Sequence, residues 1–157
     1  MSRSIVPMAL SAARIALISC ACVGFIQLAS AEVLITKDEA ALPSAAAIDM
    51  TFRGVTRAPK VQIVSPKPNE QDVVSPVNIV CKFQVFGGSS IDPESVKFTY
   101  MKKPSVDLTK RLKAFIKKDG VEMPAAEVPP GQHAIRVDLQ DSEGRASTSF
   151  LTFTVKQ

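Results

Sequence analysis

From Lys60 to the C-terminus, short runs of alternating apolar and polar residues recur, separated by residues that favour turns. Alternation with a period of two marks strands that bury one face. Val61, Ile63 and Ser65 begin one run, which Pro66 and Pro68 end, and Pro68-Asn69-Glu70-Gln71-Asp72 reads as a polar turn. Ser75-Pro76 opens a second, Val77 to Phe86, in which Val77, Ile79, Cys81, Phe83 and Val85 share a face. After the loop Gly87-Gly88-Ser89-Ser90 and the turn Asp92-Pro93-Glu94, a third run from Ser95 to Met101 puts Val96, Phe98 and Tyr100 together, and Pro104 stops it. His133, Ile135, Val137 and Leu139 alternate strictly. Asp141-Ser142-Glu143-Gly144 then reads as a hairpin turn into a last strand, Ala146 to Val155. Several short strands of this kind predict an all-β fold, a small antiparallel sandwich.

The period changes once. Leu108, Leu112, Phe115 and Ile116 lie at i, i+4, i+7 and i+8, one face of a short helix. Asp107 is placed to cap its start, Lys117 and Lys118 suit the negative end of its dipole, and Gly120 offers a left-handed terminator. A strand remains the alternative here.

Upstream the pattern is lost. Residues 32–59 are Ala-rich and polar, with brief apolar bursts at Val33-Leu34-Ile35 and Ile48 to Phe52, and are expected to form a flexible N-terminal extension or linker. The alternative is that Val33 to Ile35, or Met50 to Phe52, docks on the domain or adds an edge strand. Residues 1–31 have the layout of a signal peptide. Arg3 and Arg14 supply the charge, Ile15 to Leu28 is almost wholly apolar, and Ala29-Ser30-Ala31 is a small-x-small cleavage pattern. The apolar run is shorter than the roughly 20 residues a spanning helix needs. The expected organisation is therefore 1–31 signal peptide, 32–59 extension and 60–157 sandwich domain, in a bacterial-type protein exported to the periplasm or secreted. Leu17-Ile18-Ser19-Cys20 also resembles a lipobox, so the alternatives to a mature chain beginning at Glu32 are one beginning at an acylated Cys20 and a segment kept as an uncleaved anchor.

Export changes the composition. Of the three cysteines, Cys20 and Cys22 leave with the signal peptide, and Cys81 remains on an apolar strand face, where it reads as a small buried hydrophobe. The 19 Lys and Arg of the full chain fall to 17 once Arg3 and Arg14 are removed, against 15 Asp and Glu. So balanced a chain is not a nucleic-acid binder by charge. The excess is local: Lys102, Lys103, Lys110, Arg111, Lys113, Lys117 and Lys118 face only one acid in that stretch, Asp107.

The pattern Pro130-Gly131-x-His133-x-Ile135-x-Val137-x-Leu139-x-Asp141-x-x-Gly144, followed by a strand ending Phe153-x-Val155, resembles the C-terminal half of bacterial immunoglobulin-like and fibronectin type III-like domains of exported proteins. Ile63-Val64-Ser65-Pro66 and Ser75-Pro76-Val77 resemble their first two strands. The resemblance covers residues 60–157 and implies an immunoglobulin-like β-sandwich with structural motifs that do not specify a ligand. His133 stands where many such domains carry the tyrosine of a tyrosine corner, which implies a hydrogen bond from its imidazole to backbone.

Chemistry is sparse. There is one His, and no H-x-x-x-H, C-x-x-C, G-x-S-x-G or phosphate-binding glycine loop. The paired acids Asp92 with Glu94 and Asp141 with Glu143 sit in turns, where carboxylates normally hold the turn together. The expectation is a non-enzymatic binding or structural module, without catalytic residue, metal or cofactor. It would contact an envelope protein, and a free sandwich edge could serve for strand addition. The alternative is a binder of an anionic envelope surface or glycan through Lys102, Lys103, Lys110, Arg111, Lys113, Lys117 and Lys118. Nucleic acid is not expected as a partner, and membrane contact only through a lipidated Cys20 or that basic patch.

Overall fold

The computed structural model describes residues 31–45 and 57–157; residues 1–30 of the expected signal peptide, with Cys20, and the Met50 to Phe52 burst lie outside the described residues. Two sheets pack face to face. One is ordered β1 (Glu32–Val33), β8 (Gly120–Glu127), β4 (Val77–Gln84), β2 (Lys60–Ser65), with β7 (Ile116–Lys117) also paired to β8. The other is ordered β3 (Glu70–Val73), β10 (Ala146–Val155), β9 (Gly131–Gln140), β5 (Lys97–Tyr100), β6 (Val106–Asp107). The fold is the all-β sandwich that the alternation predicts. Most pairs are antiparallel, but β1 with β8 and β3 with β10 run parallel.

The alternating residues form the core. Val77, Ile79, Cys81 and Phe83 of β4 face Ile135, Val137 and Leu139 of β9 and Leu151, Phe153 and Val155 of β10, and all are buried. Phe98 of β5 lies beside Val137 in register, and removing each from water contributes roughly 1.5–3 kcal/mol. The turn after β9 is held by Asp141, whose carboxylate accepts from the backbone of Glu143 and Arg145 and from the Arg145 side chain.

Three expectations change. The stretch read as a polar turn contains β3, because Glu70 and Val73 pair with the end of β10 although only Val73 is partly covered. The expected helix is short: α2 spans Thr109–Leu112, one 3-10 turn follows at Lys113–Phe115, and Ile116 then pairs with Val121 as strand. Leu108 and Leu112 already seat the segment in the core, and the β-branched Ile116 gains a strand partner by leaving the helix. Asp107 still accepts the Thr109 amide at 2.8 Å, but Gly120 is the first residue of β8 rather than a helix terminator. A Cβ on Gly120 would overlap the Cys81 carbonyl of β4, so the close approach of the two strands requires glycine.

The third concerns the N-terminal extension. Residues 32–45 lie packed on the sandwich as an arm, so the flexible reading does not hold for them and the docking alternative does for Val33 to Ile35. Leu34 and Ile35 are fully buried, and both amides donate to the Glu127 carbonyl of β8. A short helix α1 (Lys37–Ala41) follows, started by a capping box in which Thr36 and Glu39 each accept the other's backbone amide. Beyond it Lys103 donates its amide to Pro43 O, and Ala45 to Met101 O. The arm thus runs from the edge of one sheet at β8 to the other just past β5, and closes that side of the sandwich together with α2.

Candidate functional site

The seven basic residues do not form one surface. Lys102, just past β5, is buried; its ammonium donates to the Ala40 carbonyl of the arm at 2.8 Å and lies over the Tyr100 ring, 5.4 Å from its centre. Arg111, on α2, grips Glu39 of the arm with two bonds of 2.8 Å and also donates to Leu34 O at 2.7 Å. Lys113 makes an exposed ion pair with Glu94 at 3.0 Å. Lys103, Lys110, Lys117 and Lys118 are exposed and make no ion pair among the described residues. Two of the seven therefore hold the arm, and four present free charge.

The Arg111 fork sets the chemistry of Glu39. Its two hydrogen bonds hold the carboxyl down at about 2, against a smaller opposing effect of burial. Beside it, the buried pair Tyr100 and His133 links β5 to β9. The Tyr100 hydroxyl lies 2.8 Å from His133 Nδ1, and His133 Nε2 lies 2.8 Å from Pro129 O. A carbonyl only accepts, so Nε2 carries the proton; because burial disfavours the charged ring, Nδ1 accepts from the tyrosine and the imidazole is neutral. The bond to Pro129 is the backbone contact implied for a corner residue. Burial lowers the His133 pKa from its usual value, the hydrogen bond to Pro129 opposes this, and the Lys102 charge adds to the lowering. Burial, with the Glu39 charge, pushes the Tyr100 phenol up to about 12.

Among the described residues, the opposite side of the sandwich is open. A groove of about 410 Å³ runs between Lys60, Val61 and Ile63 of β2 and Ser147 to Phe150 of β10. β2 ends its sheet, and β3 covers β10 only from Phe153 onward. Among the described residues, the outer backbone edge of Ala146–Leu151 is therefore unpaired, as is that of β2. Val61, Ile63 and Phe150 are only half-buried, whereas their counterparts deeper in the sheets are covered. Natural edge strands usually carry a charge, a proline or a bulge to prevent pairing. Ala146-Ser147-Thr148-Ser149-Phe150-Leu151 has no charge and no proline, and its pairing to β9 runs without a shift in register. A second, end-on cleft of about 530 Å³ lies beside β1, lined by Val33, Ile35, Pro76, Val128, Pro129 and Pro130 among others.

The acids are committed to structure. Asp92 caps the turn before β5 through the Glu94 amide, Glu94 pairs with Lys113, and Asp141 and Glu143 both pair with Arg145. Burial pushes the Cys81 thiol up to about 12, which leaves it protonated and inert. Among the described residues no three His, Cys, Asp or Glu side chains gather as a metal site, and no helix is long and apolar enough to cross a membrane.

No protein-family model matches this chain, and no curated protein matches it in sequence. Of solved structures, it is similar to the crystal structure of CopC from Methylosinus trichosporium OB3b, at 16% identity and a TM-score of 0.42, over 62% of this chain and 94% of that one.

Proposed function

We propose that this protein is an exported, periplasmic or secreted, non-enzymatic binding module built on an immunoglobulin-like sandwich, and that it takes up an extended segment of an envelope protein along the groove between β2 and β10. The observation that carries this reading is the asymmetry of the two sides. The arm and α2 close one side, while among the described residues the other offers two unpaired strand edges flanking a half-apolar groove. An added strand would satisfy the free backbone groups of Ala146–Leu151 and cover Val61 and Ile63, with backbone bonding giving affinity and the groove selecting side chains. Lys60 is the one charged residue lining the groove, which favours a segment that is uncharged or carries an acid opposite it.

A second reading rests on Lys103, Lys110, Lys117 and Lys118, whose exposed charges suit an anionic surface or glycan. Photo-crosslinking in the intact cell envelope separates the two. A benzoyl-phenylalanine replacing Phe150 is expected to trap a discrete protein, and one replacing Lys118 is not. Protein adducts from position 118 alone would refute strand addition, and lipid or polysaccharide adducts there would favour the anionic reading.

A further inference from the structure

A second device lies on the closed side of the sandwich, away from the proposed groove, and its operation does not depend on that groove. Lys102 is the point where the arm meets the buried Tyr100–His133 pair: its ammonium ties down Ala40 O and lies over the ring of the tyrosine that donates to His133. We infer that His133 and Lys102 form an acid-sensitive latch, in which protonation of His133 Nδ1 loosens the Lys102–Ala40 tie and lets the arm 32–45 undock from the sandwich.

The geometry leaves a proton on Nδ1 nowhere to be accommodated without cost. Nδ1 would become a donor, so the Tyr100 hydroxyl would have to turn its own hydrogen away from the imidazole, and Nε2 would stay bonded to Pro129 O. The groups facing His133 offer little compensation. From β10 it meets the Phe153 ring, whose centre lies 5.5 Å from its own. From β5 and the residues after it come the Tyr100 phenol, neutral well beyond physiological pH, and the Lys102 ammonium, a like charge. The acid on this side, Glu39, is engaged by the Arg111 fork and makes no hydrogen bond to His133. An imidazolium would thus be buried against an aromatic ring and near a cation, with the Pro129 carbonyl as its one compensating partner. The softest response is movement of Lys102, whose hydrogen bond is to the arm, while the rest of the His133 environment belongs to the long β9–β10 ladder.

The direction follows from linkage. His133 is held neutral when the arm is docked, so docking weakens as pH falls into the range where the imidazole takes up its proton, by at most about tenfold per pH unit for one proton. The chain has a single histidine, so its imidazole resonances report this group alone. The test is amide hydrogen exchange of the purified protein between pH 7.5 and 5.0, corrected for intrinsic rates, together with an NMR titration of His133. The Leu34, Ile35 and Ala45 amides, all bonded across the docking interface, are expected to lose protection in parallel with His133 protonation while the Val137 and Leu151 amides keep theirs. In Lys102→Met the His133 pKa is expected to rise and the acid-dependent opening to shift to higher pH or flatten. Arm protection that is unchanged to pH 5.0, or lost while His133 is still neutral, or lost together with that of β9 and β10, would overturn the latch.

Discussion

Arg111 holds Glu39 in a two-bond fork across 72 residues of chain, with each bond at 2.8 Å. That contact is one of several, with the burial of Leu34 and Ile35 and the Lys102–Ala40 bond, that make a segment with no sustained periodicity part of the folded domain. The partly buried, charge-assisted pair is worth about 1–3 kcal/mol. Arg111→Met is therefore expected to lower the urea midpoint and to expose residues 32–45 to limited proteolysis. Glu39 is ionised with a carboxyl at about 2 when docked and 4.5 when free, so its contribution is complete above pH 4.5 and is lost as pH falls from there toward 2. Urea melts in that window should converge for wild type and Arg111→Met.

Phe98 and Val137 are cross-strand partners at the centre of the core. Phe98→Ala is expected to cost about 3–5 kcal/mol through lost burial and the cavity left behind. A domain of this size has about 5–15 kcal/mol in total, so the variant should lose a large share of its stability and melt well below wild type by circular dichroism. A melting curve equal to that of wild type would refute this core assignment.

Gly120 faces backbone. Because a methyl group there would overlap the Cys81 carbonyl, Gly120→Ala must push β8 from β4, at a cost of about 1–3 kcal/mol typical of overpacking. Gly87→Ala, where the same methyl would meet open space but the backbone is left-handed, should cost less, about 1 kcal/mol. Thermal melts of the two variants give the comparison.

Lys110 and Lys117 are exposed and unpaired among the described residues, so Lys110→Glu with Lys117→Glu should leave stability within about 0.5 kcal/mol of wild type. Any retention on anionic vesicles at low salt should vanish in this variant and fade in wild type as salt rises. Capture of a protein by the groove should be unaffected.

The strands with strict alternation were readable in the sequence because both faces of each have a defined fate: β4, β5, β9 and β10 appear where the pattern puts them, with the expected residues inside. β3 was not, since a parallel edge strand needs few buried side chains and Glu70-Gln71-Asp72 looks like a turn. The arm was only half visible. Thr36-x-x-Glu39 is a capping box in plain view, but a five-residue helix has too little periodicity to draw notice, and its docking depends on Arg111 and Lys102 far along the chain. For the same reason those two residues read as surface charge. Nothing in a linear pattern tells a lysine that meets water from one that meets a carbonyl 62 residues away. The open groove was equally hidden, because a free edge is a property of sheet order.

If the uncharged edge of β10 receives a partner strand, the crosslink yield from benzoyl-phenylalanine at position 150 depends on that edge remaining uncharged, and Ser149→Lys places an inward charge on it. One discrete protein adduct is expected that disappears in the Ser149→Lys background while the melting temperature stays near that of wild type. An adduct of equal yield in both backgrounds, or none in either, would rule out strand addition at this edge.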